Sequence, residues 1–240
     1  MDRRLCLITG ASAGIGAEFA RQYAALGWDI ALTARREDRL TALASELEEK
    51  YGVHTISIAQ DLARANSADK IISSLSEQGR HVDALVNNAG YGLPGTFFNT
   101  SWKSQAEFIR VLYTAPIELA HKVLPGMADR GYGRIINVAS LAGYAAGSNG
   151  HTLYASVKSG LIKFSESLNA ECDAFEGADI HCTALCPGFT YSEFHDVNGT
   201  REQMNKMLVN KSLATLTRIM PEPIGRAIMR RQSRTIRRQD

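Results

Sequence analysis

Hydrophobic residues fall into six short runs, separated by longer segments in which apolar positions recur at helical spacing. Most of these runs are continuously apolar, which is typical of strands that are covered on both faces. The predicted strands lie at 5–9, 29–34, 53–58, 83–87, 133–139 and 179–186, and the longest predicted helices at 101–130 and 152–176. Alternating strands and helices predict an α/β fold, with one doubly wound parallel sheet and a ligand crevice at the carboxyl ends of its strands.

A glycine-rich turn follows the first predicted strand. The strand Leu5–Thr9 leads into the stretch Gly10-Ala11-Ser12-Ala13-Gly14-Ile15-Gly16, and a helical pattern comes next. Small residues in such a turn let the backbone approach a pyrophosphate, and the N–H groups at the start of the helix attract its charge. The spacing GxxxGxG differs from the GxGxxG of the standard dinucleotide fingerprint. A tight turn without a ligand is the alternative interpretation of this stretch.

The residues after the second predicted strand bear on the choice of cofactor. An acidic residue about 20 positions after the glycines binds the ribose 2′-hydroxyl, whereas an arginine there fits a 2′-phosphate. Here the strand ends at Ala34, Arg35 and Arg36 follow, and no carboxylate appears before Glu37. The pattern favours NADP over NAD, although the two arginines could simply begin a solvated helix.

Ser140, Tyr154 and Lys158 are a candidate set of residues for proton transfer at a carbonyl group. A phenol titrates near ~10, and a neighbouring ammonium favours the phenolate, so we expect Lys158 to lower the pKa of Tyr154. A spacing of four places Tyr154 and Lys158 on one face of a helix. Ser140, from another element, could hold the carbonyl oxygen between them. The alternative is a surface tyrosine and lysine on an ordinary helix, because the YxxxK motif is short.

From about Leu5 to Phe194, the order of these motifs resembles the short-chain dehydrogenase/reductase family, whose fold is Rossmann-like. The stretch Thr9–Gly16 is similar to the cofactor loop of that family, and Asn87–Gly90 to the motif that closes its fourth strand. Asp61 is similar to the residue that contacts the adenine, and Pro187-Gly188 to the turn that faces the nicotinamide.

The resemblance implies that Ser140, Tyr154 and Lys158 are catalytic. It also implies hydride transfer between a nicotinamide and a carbonyl carbon, with Tyr154 as the acid or base. The cofactor-binding positions that it implies are Gly10, Ser12, Gly14, Ile15, Gly16, Arg35, Arg36, Asp61, Leu62, Asn88, Ala89, Gly90, Tyr154, Lys158, Pro187, Gly188 and Thr190. A homodimer or homotetramer is the assembly that the family would suggest.

Leu112 departs from the family pattern, because the family places a catalytic asparagine there. Pro116, four residues later, has no N–H for the Leu112 carbonyl, so we expect the helix to open at that turn. A water held by the Leu112 carbonyl could still connect to Lys158. The alternative is a merely apolar position beside a proline kink.

The C-terminal part of the chain is a second departure. We expect residues 1–194 to form the cofactor-binding and catalytic core, and residues 195–240 a lid or tail of the same domain. No convincing last strand appears in the latter, so this region is either atypical or truncated. The segment 226–240 holds six arginines against one aspartate, a pattern most often found in a solvated tail.

Composition agrees with a cytoplasmic enzyme of one domain. The chain has 240 residues, is 45% hydrophobic and carries a net charge of +2, so it can bury a large core and shows no global preference for nucleic acid. No run approaches the ~20 apolar residues of a membrane span, and we expect no signal peptide, since the first predicted strand begins at Leu5. The four cysteines show no metal-binding spacing, so we expect no metal.

Two classes of function follow from these features. The first is an NADP-dependent oxidoreductase that interconverts a ketone or aldehyde and an alcohol, for which 3-oxoacyl, sugar and xenobiotic ketone substrates all remain open. The second is an NADP-binding sensor or scaffold of the same fold with weak or no turnover. The intact set of Ser140, Tyr154 and Lys158 favours the enzyme, and Leu112 mildly favours the sensor.

Overall fold

The computed structural model of the protein describes residues 3–145 and 152–188, and within them the six predicted strands form one sheet. Its strands are β1 (Leu5–Thr9), β2 (Asp29–Ala34), β3 (Thr55–Ala59), β4 (Ala84–Asn87), β5 (Tyr132–Val138) and β6 (Asp179–Leu185). All neighbours are parallel, in the order β3-β2-β1-β4-β5-β6. The predicted doubly wound parallel sheet is therefore confirmed. The order reverses between β1 and β4, which is where such sheets open their ligand crevice.

Helices connect the strands and cover both faces of the sheet. They are α1 (Gly14–Ala25), α2 (Glu37–Tyr51), α3 (Ser67–Ser76), α4 (Trp102–Ile109), α5 (Ala115–Asp129) and α6 (Thr152–Cys172). The strand β1 shows why the apolar runs do not alternate. Leu5 and Leu7 pack into the core on the side of α3 to α6, whereas Cys6 and Ile8 pack into the core on the side of α1 and α2.

The predicted helix 101–130 is divided into α4 and α5 by a wide turn at Arg110–Thr114. In this turn the N–H group of Ala115 donates to the carbonyl of Arg110, five residues earlier. Pro116 explains the division, since it cannot donate to the Leu112 carbonyl and its ring excludes a regular helical turn. The predicted opening of the helix at this point is confirmed.

The strand β6 lies at the edge of the described sheet and differs from the central strands. Ile180 and Cys182 are buried against α6, whereas His181, Thr183 and Leu185 face outward and are exposed. The predicted strand at 179–186 is confirmed, and its burial alternates because only one of its faces is covered by described residues. The expected lid or tail at 195–240 lies outside the described residues.

Leu85 offers a test of the sheet as the centre of the fold. Its side chain is fully buried in the middle of β4, whereas Leu26, just after α1, is 74% exposed. We expect Leu85→Ala to lower the free energy of unfolding by about 2–5 kcal/mol. The matched change Leu26→Ala should alter it by less than about 0.5 kcal/mol. Denaturant unfolding measures both, and similar costs for the two variants would contradict the described packing.

Candidate active site

The turns after β1 and β4 are joined across the point where the strand order reverses. The hydroxyl of Thr9 accepts hydrogen bonds from the N–H groups of Asn88 (2.9 Å) and Ala89 (3.0 Å). In return, the amide nitrogen of the Asn88 side chain donates to the carbonyls of Thr9 (2.9 Å) and Gly10 (3.2 Å). These bonds satisfy buried backbone groups and hold the two turns as one platform at the carboxyl ends of the strands.

Glycines are required in this platform for two separate reasons. Gly10 has a φ of +66°, and a Cβ there would lie 2.7 Å from the Cα of Ala89. A Cβ at Gly16 would lie 2.5 Å from the carbonyl oxygen of Gly10. Bare backbone therefore lines the crevice, as the close approach of a pyrophosphate requires.

The first turn of α1 faces the same crevice. Its N-cap residue, Ala13, makes no side-chain capping bond, and no acidic residue lies in the first turn. The N–H groups at the start of this helix and its positive dipole end are thus available to an anion. The backbone cradle and the helix start together fit a dinucleotide phosphate.

Two arginines follow β2 beside this cradle, and the structure gives them different positions. Arg35 is exposed, whereas Arg36 is half-buried and its guanidinium donates to the hydroxyl of Ser12 through Nε (3.2 Å) and NH2 (3.0 Å). Ala34, which ends β2, accepts a bond from the N–H of Gln60 at 2.9 Å. Arg36 thereby connects the second strand end to the glycine turn, a contact that the sequence did not reveal.

Asp61 and Leu62 follow β3 on the same edge. One carboxylate oxygen of Asp61 accepts the N–H of Ala63 at 3.0 Å, and the other lies 3.8 Å from Nε of Arg64. These contacts fix the turn in which Leu62 is buried.

Gly90 is exposed at the end of the Asn88–Gly90 turn, and a Cβ there would be 3.7 Å from Cγ of Leu112. Leu112 is an apolar residue of the core that packs against this turn.

Lys158 is a buried cation on α6. Its side-chain nitrogen donates to the carbonyl of Val138, at the end of β5, over 2.6 Å. Lys158 is only 5% exposed, and burial lowers its pKa to about 8, while the thiol of Cys186 acts in the opposite direction. The ammonium thus sits in the core at the strand ends, where most proteins place no charge.

Tyr154 lies one helical turn before Lys158, and its hydroxyl interacts with Ser140. Burial raises the pKa of Tyr154, and the hydrogen bond with Ser140 lowers it to a smaller extent. The nitrogen of Lys158 lies 5.9 Å from the centroid of the tyrosine ring. We expected Lys158 to lower this pKa. In this structure the effect of burial dominates, because the ammonium is directed to the Val138 carbonyl.

Two aromatic side chains pack in series beside the ring of Tyr154. Phe108, fully buried on α4, lies 6.5 Å from that ring between centroids, and Tyr91 meets Phe108 edge to face at 5.4 Å. Such contacts limit the rotation of a ring beyond what its buried area alone does. Sequence analysis missed Phe108, since an apolar residue on a helix carries no sign of which neighbour it will contact.

Ser140 begins a short turn, Leu141–Gly143, that is attached to β6. The Ser140 hydroxyl accepts the N–H of Ala142 at 3.2 Å, and the N–H of Leu141 donates to the carbonyl of Pro187 at 3.1 Å. Pro187 and Gly188 therefore lie beside the turn that Ser140 begins, and their predicted place facing the nicotinamide stays a prediction. Thr190, the remaining predicted position, lies outside the described residues.

A buried polar row beneath the site was also missed by sequence analysis. Asn87 and Asn137 pair across β4 and β5, and the Asn87 amide donates to Asn137 (2.9 Å) and to the carbonyl of Pro116 (3.1 Å). Asn137 donates in turn to Ser165 on α6 at 2.9 Å. The available signal was the single asparagine within the apolar run Ile135-Ile136-Asn137-Val138, because a polar residue in a covered strand needs a partner.

Comparison with known proteins decides the family. The model of the family described as short chain dehydrogenase matches residues 4–203. The chain belongs to the short-chain dehydrogenase family. The resemblance inferred from the motifs is thus confirmed, and the family consists of oxidoreductases. The chain is 34% identical to sulfoacetaldehyde reductase 2 of Chromohalobacter salexigens, over 79% of this chain and 74% of that protein.

Solved structures of this family share the fold. A short-chain dehydrogenase from Sphingobium yanoikuyae in complex with NADPH is 31% identical, with a TM-score of 0.76 over 88% of this chain and 85% of that one. L-sorbose reductase from Gluconobacter frateurii, complexed with NADPH and L-sorbose, is 30% identical, with a TM-score of 0.75 over 87% and 81% of the two chains. Both support a nicotinamide cofactor in the crevice of this short-chain dehydrogenase.

Two further findings concern the side chains and helices of residues 3–145 and 152–188. Their histidine, cysteine and carboxylate side chains form no group of three or more that could hold a metal ion. None of the helices in these two ranges is both long and apolar enough to cross a membrane.

Lys158 should lower the stability of the folded chain at neutral pH. Its pKa is about 8 when folded against an ordinary 10.5, so the unfolded chain binds the proton more tightly. We expect Lys158→Met to raise the free energy of unfolding by about 1–3 kcal/mol. This range is the free energy that corresponds to the pKa difference, reduced by the contribution of the hydrogen bond that the variant loses. The gain in the free energy of unfolding should be complete below the pKa that Lys158 has in the folded chain. It should shrink as the pH rises from about 8 to 10.5.

Lys163 supplies the matched control for that experiment. It lies on the same helix, its side chain is 73% exposed, and it pairs with Glu166. Lys163→Met should change the stability little at any pH. If Lys158→Met were no more stable than the parent at neutral pH, the buried ammonium would not be a cost to the fold.

Proposed function

We propose that the protein is an NADP-dependent oxidoreductase that interconverts a ketone or aldehyde and an alcohol. The observation that carries this proposal is the hydrogen bond between Ser140 and Tyr154 beside the buried Lys158, at the edge where the glycine cradle lies. A phenol, a hydroxyl donor and a cation converge there on a space next to the cofactor crevice. This arrangement suits proton transfer at a carbonyl oxygen.

Each of the three residues has a distinct role in this proposal. A bound nicotinamide would supply the hydride to the carbonyl carbon. Tyr154 gives its proton to the carbonyl oxygen as charge develops there, and Ser140 holds that oxygen by a hydrogen bond. An ammonium has three donors, and the Val138 carbonyl takes one from Lys158. Lys158 can direct the others toward the hydroxyl groups of the nicotinamide ribose.

Tyr154 holds a proton that it can give to a carbonyl oxygen. Burial raises the pKa of Tyr154, so the phenol keeps its proton at neutral pH before the cofactor binds. It can therefore act as a general acid toward a carbonyl. The names of two relatives, a sulfoacetaldehyde reductase and an L-sorbose reductase, support a carbonyl compound as the substrate.

The preference for NADP rests on the residues after β2. Ala34 places no carboxylate at the end of this strand, Arg35 is exposed beside it, and Arg36 already reaches Ser12 of the glycine turn. Two guanidinium groups at this corner suit a 2′-phosphate, because arginine binds phosphate oxygens through paired N–H groups. The NADPH complexes of the two related structures agree with this choice.

A change at the end of β2 tests the cofactor assignment. We expect Ala34→Asp with Arg35→Ala to favour NADH, because the contact with the 2′-phosphate, worth ~1.5–3 kcal/mol, is lost and a carboxylate is added. The ratio of the dissociation constants for NADPH and NADH should shift by roughly ten- to a hundredfold. Fluorescence titration measures both constants. Arg39→Ala, an exposed arginine on α2, is the control. Equal affinity of the parent chain for NADH and NADPH would refute the assignment.

Tyr154→Phe tests the assignment of the acid. The variant should bind NADPH normally yet lose turnover by roughly 10²–10⁴-fold, since it removes the transferred proton. Oxidation of NADPH against a panel of ketones and aldehydes is the measurement. Tyr51→Phe, on α2 beside Lys50, is the matched control and should retain full activity. Turnover by Tyr154→Phe at the level of the parent would exclude the proposed role.

A sensor or scaffold that binds NADP without turnover is the second candidate. Leu112 supports it, because this residue is buried and apolar where the family has a catalytic asparagine. A parent chain that binds NADPH but oxidises it with no carbonyl compound of the panel would favour this function. The water proposed at the Leu112 carbonyl belongs to the enzyme hypothesis and remains a prediction.

A further inference from the structure

The turn Leu141–Gly143 rests directly on the backbone of α6. A Cβ at Gly143 would lie 2.9 Å from the carbonyl carbon of Lys158 and 2.9 Å from the nitrogen of Ser159. It would also lie 2.7 Å from Cδ1 of Ile162. Contacts this short are not formed by real side chains, and helix backbone cannot move aside as a flexible side chain can. The fit between turn and helix therefore requires a residue without a side chain.

The same turn holds Ser140 as part of one compact unit. The N–H of Ala142 donates to the Ser140 hydroxyl at 3.2 Å, and the N–H of Gly143 donates to the Ser140 carbonyl at 3.0 Å. A displacement of Gly143 from α6 would thus carry Ser140 with it. The helix that Gly143 touches is the one that presents Tyr154, four residues before the point of contact.

We propose that Gly143 is a positioning residue, whose bare Cα sets the separation between Ser140 and Tyr154. This inference deepens the proposed function and rests on it for the meaning of that separation. A hydrogen bond weakens steeply when its donor and acceptor move apart, so a shift of a few tenths of an ångström matters here. The position carries no chemistry of its own, and its role is expressed through the contact between Ser140 and Tyr154.

Gly143→Ala is the direct test, with Gly126→Ala as the matched control. At Gly126, on α5, a Cβ would meet only the end of the Arg130 side chain. We expect Gly143→Ala to lower kcat by about ten- to a hundredfold while the dissociation constant for NADPH stays near that of the parent. The double variant with Ser140→Ala should be no slower than Ser140→Ala alone, because both changes act on one contact.

A second readout needs no turnover. The pKa of Tyr154 can be followed by NMR of ring-labelled tyrosine, with its signal assigned through Tyr154→Phe. The hydrogen bond from Ser140 lowers this pKa in the parent. Gly143→Ala should therefore raise it, and Gly126→Ala should leave it unchanged. If the parent reduces no carbonyl compound, the proposed function fails, but this titration still decides the role of Gly143.

Two further variants keep the test decisive. Adding Ile162→Val to Gly143→Ala removes the Cδ1 methyl but not the backbone contacts, so it should not restore kcat or the pKa. Full restoration would show that ordinary side-chain packing sets the position. If Gly143→Ala does not fold, Ala142→Gly loosens the turn without a clash and should move both readouts in the same direction, by less. A parent-like kcat and Tyr154 pKa in the folded variant would overturn the proposal.

Discussion

The buried contact between the ammonium of Lys158 and the carbonyl of Val138 is the constraint on which the rest of the site depends. It fixes α6 to the carboxyl end of β5, and so places Tyr154 opposite Ser140. Burying this cation works against its protonation, as the lowered pKa of Lys158 shows. A fold selected for stability alone would place an apolar residue here, so this cost is compatible with the role proposed for Lys158.

The two faces of the sheet support different halves of the proposed reaction. On the side of α1 and α2, bare glycine backbone and the start of a helix form the proposed cradle for phosphate. On the other side, α6 carries Tyr154, the proposed acid, and Phe108 of α4 lies against its ring. Hydrogen bonds between Thr9 and Asn88 join the turns after β1 and β4 at the carboxyl ends of the strands. The row from Asn87 to Ser165 joins β4 and β5 to α6 on the side of α3 to α6. In the proposed reaction, the distance between the hydride donor and Tyr154 would thereby be set by packed elements of the fold.

Sequence reasoning predicted the sheet well because most of its strands are largely apolar, as is typical of strands with two covered faces. It also predicted the opening of the helix at Pro116, since a missing N–H is a local property of one residue. It did not foresee the dominant effect on the pKa of Tyr154, because burial and the direction of the Lys158 side chain depend on tertiary packing. The contact of Arg36 with Ser12 and the fit of Gly143 on α6 were hidden for the same reason. Each joins residues far apart in the chain through distances that no local pattern encodes.

The central claim is that this crevice transfers a hydride to a carbonyl carbon. The most direct measurement is to incubate the protein with NADPH that carries deuterium at both C4 positions and a panel of aldehydes and ketones, and then to analyse the alcohols by mass spectrometry. The account predicts one deuterium on the carbinol carbon of at least one product. It also predicts that the label stays on the cofactor when the protein is omitted. Tight binding of NADPH with no deuterium in any alcohol would contradict the account and leave a protein that holds the cofactor without using it.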